Sequence, residues 1–158
     1  MASGISTKGR YALRVMADLA VSQERGEWVS LGDISKRQGI SRKYLEQVMA
    51  SLHKAGFVTS QRGKGGGYRL AKDASDYTLG QIIRVAEGSS LAPVSCLDCA
   101  NGTLCPRSEF CPTLPVWREL GHIISTYLDS KRLSDITAGM RAAEEAEGAL
   151  AGIEGLCK

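Results

Sequence analysis

The sequence predicts a mainly α fold with a small β-hairpin wing: a winged helix-turn-helix followed by a long dimerisation helix. Three observations carry that prediction. Between Ser30 and Leu70 the chain reads as helix, tight turn, helix and two short strands. The second of those helices carries Leu45, Val48, Met49 and Leu52 at the i, i+3, i+4, i+7 spacing of one buried face. The charge is divided as well. Residues 1–72 hold 13 Lys/Arg against 5 Asp/Glu, a net of +8, whereas residues 73–158 hold 7 against 12, a net of −5, which together make the +3 of the whole chain. A polyanion drawn to this protein meets the half that holds the helix-turn-helix.

Each element has its own signal. Ser6 or Thr7 is placed to cap a first helix, whose apolar stripe is Ala12, Val15, Met16, Leu19 and Ala20. Glu24-Arg25-Gly26-Glu27 is a polar loop, and Trp28-Val29 is a brief strand or staple. Ser30 with Asp33 resembles a capping box, Asp standing where Glu or Gln is usual. The short helix it opens closes at Gly39, a residue able to take the left-handed turn. Ser41 caps the next helix. After Gly56 the pattern becomes that of a strand over Phe57–Arg62, followed by the tip Gly63-Lys64-Gly65-Gly66-Gly67 and a return through Tyr68-Arg69-Leu70. Thr78 with Gln81 is a second capping box, opening a helix with Leu79, Ile82, Ile83 and Ala86 that Gly88 breaks. Pro115 marks the start of the next helix. Its Leu114, Trp117, Leu120, Ile124, Tyr127 and Leu128 recur at threes and fours, a narrow seam that reads as a dimer helix. The competing reading packs that seam on its own domain. Ser134 is expected to cap a last turn through Asp135-Ile136, and the Ala-, Glu- and Gly-rich chain from Gly139 onward is expected to be disordered or loosely helical. The expected organisation is a winged helix-turn-helix over 1–88, a cysteine-rich loop over 89–112, the dimerisation helix and last turn over 113–138, and the tail over 139–158.

Several function classes are excluded. No stretch reads as a membrane span or signal peptide, so a cytoplasmic protein with no membrane partner is expected. The only histidines are His53 and His122, neither with a nucleophile or carboxylate partner near it in sequence, so no enzyme is expected. The glycine-rich tip is not a nucleotide-phosphate loop, because no Gly-Lys-Ser/Thr leads into a helix there.

A recognition helix needs polar side chains near its N-terminus and a core behind it. Ser41, Arg42, Lys43, Tyr44 and Gln47 meet that need. Arg and Lys donate to phosphate or guanine, Gln pairs with adenine, and Ser serves either. Glu46 repels phosphate unless it accepts from a cytosine amino group, so its presence argues for sequence reading. At the hairpin, glycines permit close backbone approach to phosphate, or entry of Arg62 and Lys64 into the minor groove. The partner this predicts is double-stranded DNA.

Four of the five cysteines, Cys96, Cys99, Cys105 and Cys111, fall in one loop. In a cytosolic chain a disulfide framework is not expected, and clustered thiolates repel one another unless a cation relieves them. Soft sulfur selects zinc or iron–sulfur. Zinc usually takes two close pairs, and only Cys96 and Cys99 make one. The wider intervals suit a larger cluster, and Cys105-Pro106 and Cys111-Pro112 echo a ferredoxin ligand ending. Bare redox thiols are the third reading, and Cys157 is an incidental thiol.

Ser6-Thr7-Lys8-Gly9-Arg10-Tyr11-Ala12, then Asp33-Ile34-Ser35, Gln38-Gly39-Ile40-Ser41 and Tyr44-Leu45-Glu46-Gln47, then Arg62-Gly63 and Gly65-Gly66-Gly67-Tyr68 fall in order along the chain. Over about residues 5–137 the sequence resembles the IscR/NsrR family of bacterial winged-helix regulators. The resemblance implies a homodimer that binds pseudo-palindromic promoter DNA. It also implies an iron–sulfur cluster in the loop before the dimer helix, sensing iron, oxygen, nitric oxide or cluster supply. Family members without a cluster respond to cysteine status or thiol redox, and a zinc-stabilised, protein-binding adaptor is the rival from outside regulation. The implied ligands are Cys99, Cys105 and Cys111, which keep the C-x5-C-x5-C spacing. Where the IscR branch has a histidine three residues later this chain has Leu114, which leaves the fourth position to Cys96 or to an N-terminal residue of the partner. A 2Fe–2S cluster is the first expectation, 4Fe–4S the second, zinc the alternative. The implied DNA-contacting positions are Ser41, Lys43, Tyr44, Glu46 and Arg62.

Overall fold

The structure is a computed structural model that describes residues 5–88, 91–97 and 105–140. Helix α1 (Thr7–Glu24) starts where the Ser6 hydroxyl accepts from the Lys8 N–H, and its Ala12, Val15, Met16, Leu19 and Ala20 are all buried. Glu87 adds a second cap from a distance, one carboxylate oxygen accepting from the Ser6 and Gly9 N–H groups at 2.9 and 3.0 Å. α2 (Leu31–Gln38) opens on Ser30, whose hydroxyl accepts from the Asp33 N–H, and closes at Gly39 with φ +63°. There a β-carbon costs about 1 kcal/mol or more. Ser41 caps α3 (Arg42–Lys54), whose Leu45, Val48, Met49 and Leu52 are the buried face that the sequence spacing predicts.

The strands are β1 (Val58–Gln61) and β2 (Gly67–Leu70), paired antiparallel with Val58 opposite Leu70 and Gln61 opposite Gly67. Val29 adds a bridge on the outer edge of β2, exchanging hydrogen bonds with Tyr68 at 3.1 and 2.8 Å. Close backbone approach, at that bridge and at the end of β1, explains two of the glycines at the tip. A β-carbon on Gly67 would overlap the Val29 carbonyl, and one on Gly66 the Gln61 carbonyl. Both are demanded by the protein's own backbone, before any ligand is considered. Buried Tyr77 closes the rear of the hairpin, its hydroxyl donating to the Phe57 carbonyl at 3.0 Å and accepting from the Lys72 N–H at 2.9 Å.

α4 (Leu79–Glu87) begins with a full capping box between Thr78 and Gln81 and ends at Gly88 with φ +69°. It packs against α1 and α3 and carries α5 (Leu114–Ser130) on its outer side. One core joins these elements, with Met16, Ile34, Leu45, Leu52, Ile82 and Leu133 fully buried within it. The last element departs from expectation. Residues 133–140 are helical, so the helix begins one residue before Ser134 and runs beyond a single turn. Its start is held by Asp135, whose carboxylate accepts from the Arg132 N–H at 2.8 Å, and its buried anchors are Leu133 and Thr137. The tail expected from Gly139 lies mostly outside the described residues. Among the described residues no helix is long and apolar enough to cross a membrane.

Candidate nucleic-acid interface and thiol loop

The core behind α3 leaves a continuous polar face in front. Ser41, Arg42, Lys43, Glu46 and Gln47 are exposed, as are Arg62 and Lys64 at the hairpin tip. Arg42 and Glu46 stand one helical turn apart with 3.9 Å between charged atoms, both well exposed. Such a pair contributes at most a few tenths of a kcal/mol (about 0.3–0.5) and leaves either group free to turn toward another partner. Tyr44 is different. It is half-buried, its ring edge-on to Tyr11 with centroids 5.4 Å apart, and the Arg14 guanidinium lies 5.6 Å from the Tyr11 ring centre. Its ring therefore buttresses the start of α3 on α1.

The flanks of α3 are fixed as well. The Lys8 ammonium donates to the Ser51 hydroxyl at 3.0 Å. α2 is tied to α1 by the Arg37 guanidinium, which donates to both Asp18 oxygens at 2.9 Å. The hydrogen bond to Asp18 raises the Arg37 pKa further above its ordinary value. Between α3 and the hairpin lies an open concavity of about 300 Å³ lined by Glu46, Met49, Ala50, His53, Ser60 and Tyr68. His53 and Ser60 approach to 3.5 Å across it. Sequence reasoning assigned neither residue to this face. The available signal was periodicity, because Lys43, Glu46, Ala50 and His53 follow the spacing of one helical stripe.

Of the thiols, Cys96 is exposed in a single 3-10 turn (Ser95–Leu97), while Cys105 and Cys111 are half-buried in the turns leading into α5. Cys99 and Cys157 lie outside the described residues. Cys111 sits at the head of α5, its carbonyl accepting from the Leu114 N–H at 3.3 Å and its sulfur 3.4 Å from the Thr113 hydroxyl. Hydrogen bonds from the Thr113 hydroxyl and then its N–H hold the Cys111 thiol below its ordinary pKa, against a small desolvation effect, with Arg107 adding to the same end. A thiol whose deprotonation is eased by such hydrogen bonds just before a helix N-terminus is a donor that a soft metal or cluster takes, so Cys111 fits such a group chemically. Among the described residues no three His, Cys, Asp or Glu side chains gather as a ligand set.

The exposed side of α5 carries an apolar row beside polar Glu119, His122 and Thr126. Val116, Leu120, Ile123 and Tyr127 are 59, 38, 56 and 61% exposed, and their spacing of four, three and four makes one straight row. Leu120 and Tyr127 belong to the seam that the sequence predicts. Val116 and Ile123 do not, and Leu114 of that seam is buried within the chain.

Comparison with known proteins agrees with this geometry. The Rrf2 family model, described as iron-dependent transcriptional regulator, matches residues 5–139. The HTH-type transcriptional regulator IscR of Vibrio atlanticus (strain LGP32) is 42% identical over 135 residues, 85% of this chain and 72% of the relative. Among solved structures, T. potens IscR superposes with a TM-score of 0.68 at 40% identity, covering 92% of each chain. CymR, the global cysteine regulator of B. subtilis, superposes with a TM-score of 0.67 at 36% identity, covering 87% of this chain and 98% of that one. Sequence motifs, winged-helix fold and relatives agree, and the chain belongs to the Rrf2 family of transcriptional regulators; it is not an enzyme.

Proposed function

We propose that this regulator acts as a homodimer on pseudo-palindromic promoter DNA, and that an iron–sulfur cluster sets its grip. Ser41, Glu46 and Gln47 read base edges, while Arg42, Lys43, Arg62 and Lys64 hold phosphates. Cys99, Cys105 and Cys111 hold the cluster, with Cys96 as the candidate fourth ligand. The observation that carries the reading is a coincidence on one helix. Cys111, its sulfur 3.4 Å from the Thr113 hydroxyl, lies immediately ahead of the same α5 whose outer row is Val116, Leu120, Ile123 and Tyr127. That row, paired with its own copy, closes a two-fold interface. A bound cluster would supply a redox- and iron-sensitive link held by these cysteines, of which Cys111 lies just ahead of α5. Its presence or loss would bias the dimer between geometries that grip DNA differently.

One observation favours a second reading. The similarity to the global cysteine regulator, together with Leu114 in place of a ligating side chain, suits a regulator without a cluster whose thiols sense oxidation. Metal analysis separates the two. Protein purified without oxygen is expected to absorb visible light and to contain iron and acid-labile sulfide, and Cys105→Ala to lose both. Colourless, metal-free protein that still binds DNA points to the thiol reading. Zinc alone in its place, with no salt-sensitive DNA binding, points to a structural adaptor.

A further inference from the structure

Asp129, in the last turn of α5, is gripped by α4, both at its capping residue Thr78 and at Arg84 in its last turn. The Arg84 guanidinium donates to both of its oxygens, at 2.8 and 2.6 Å, and the Thr78 hydroxyl donates at 3.4 Å. Gly80 lies so close that a β-carbon there would overlap the Asp129 carboxylate. The backbone repeats the connection. The Leu79 N–H donates to the Lys131 carbonyl at 2.9 Å, the Leu133 N–H donates to the Tyr77 carbonyl at 3.0 Å, and Thr78 and Arg132 form an antiparallel bridge. The C-terminal end of α5 is thereby bolted to α4. Toward its other end Leu114 is the one buried side chain of α5, and the described chain meets it through Pro93, which faces Gly121. α4 in turn packs on α3, the helix that faces DNA.

We propose that the Arg84–Asp129 pair is the pin that sets the angle between the dimer helix and the recognition helix, so that both residues determine which half-site spacing the regulator accepts. The inference rests on the homodimer reading of α5. Its scale comes from geometry. α5 has 17 residues, about 25 Å at ~1.5 Å each. A rotation of about ten degrees at its base displaces the far end by about 4 Å, more than the ~3.4 Å rise of one base pair. A single ionic contact would leave that rotation loose. A two-pronged guanidinium–carboxylate pair restrains direction as well as distance, which a lysine in its place cannot do. Gly80 permits the close approach, and the Thr78 hydroxyl fixes the carboxylate from a third side.

The test uses the full chain, purified without oxygen, as wild type, Arg84→Lys, Asp129→Asn and the exchanged double variant Arg84→Asp/Asp129→Arg. Sedimentation gives the oligomeric state and circular dichroism the melting temperature. Affinity is measured on duplexes carrying two inverted half-sites obtained by wild-type selection from random DNA, with the spacer varied one base pair at a time. The single variants are expected to remain folded dimers whose preference for the best spacing over its neighbours falls about fivefold, with part of it restored in the exchanged double variant. Arg84→Lys keeps the charge on a side chain that is one-third exposed, so it guards against loss of folding. Dimeric variants with the wild-type spacing profile overturn the proposal, and so does a lower melting temperature with an unchanged profile. A monomeric wild type overturns the homodimer reading, and this inference with it.

Discussion

If the exposed face of α3 meets DNA as proposed, its side chains divide affinity from selectivity. Lys43 is exposed and has no acidic neighbour among the contacts described for it, so its charge is available to phosphate. Lys43→Ala is expected to weaken binding about equally on all sequences and to flatten the slope of log affinity against log salt by about one unit, as read from a salt series. Glu46 should behave in the opposite manner. Its only ion-pair contact described is with Arg42 at 3.9 Å, so its removal costs little stability. Glu46→Ala is expected to leave the melting temperature within a degree or two and to relax selectivity at one base position by about 1–3 kcal/mol. Equal loss on every duplex would show that Glu46 reads nothing. Behind the face, Leu52 is fully buried, and Leu52→Ala is expected to cost about 2–5 kcal/mol in denaturant unfolding.

Among the elements, what could be read from the sequence and what could not divide by range. Ser6, Ser30, Ser41 and Thr78 each cap a helix, because each joins groups two or three residues apart. The box expected at Ser30 is half made, since the Asp33 carboxylate accepts from the Ser30 hydroxyl at 2.6 Å and not from its N–H. The stripe of α3 was legible for the same reason. α5 was harder. Its apolar arc is wide, because one side meets α4 and the 91–97 segment while the adjoining row faces outward. Periodicity alone therefore mixed Leu114 with the outer row and passed over Val116 and Ile123. The Arg84–Asp129 pair spans 45 positions in sequence, and no local pattern announces it. Nor does one announce Leu133 as a core residue, since its partners come from distant elements. The pair also predicts an acid response. Its hydrogen bonds from Arg84 hold Asp129 below the ordinary carboxylate pKa. Its stabilising contribution is present above the unfolded value of about 3.9 and is lost as pH falls through the lower folded one. Removal of the partner by Arg84→Ala should flatten the decline of melting temperature across that acid range. Because both side chains are more than a third exposed, the effect should stay under about 1 kcal/mol. An unchanged decline would deny the pair any role in stability.

The whole molecule joins a basic, winged helix-turn-helix to an outward apolar helix that begins at a cysteine loop. Charge and fold agree on this division. The half with a net +8 holds α3 and the hairpin, and the half with a net −5 holds the cysteine loop and α5, a division that would keep the proposed sensing part away from phosphate. If the outer row of α5 closes the dimer, a charge in its middle must open it. Ile123→Asp is expected to sediment as a folded monomer and to bind a two-half-site operator at least a hundredfold more weakly, in line with the affinity gained by linking two half-site contacts (about 10²–10⁴-fold). A dimeric Ile123→Asp would place the interface elsewhere. The account as a whole claims that the thiol loop and the two recognition helices act through one scaffold. The most direct measurement is the affinity of the same dimer for its operator before and after its iron is removed with a chelator in the absence of oxygen. The account predicts a change of at least about fivefold, within the ordinary range of coupling between sites, and the same change on going from wild type to Cys105→Ala. Equal affinity in both states, with iron shown to be present in one and absent in the other, would contradict it.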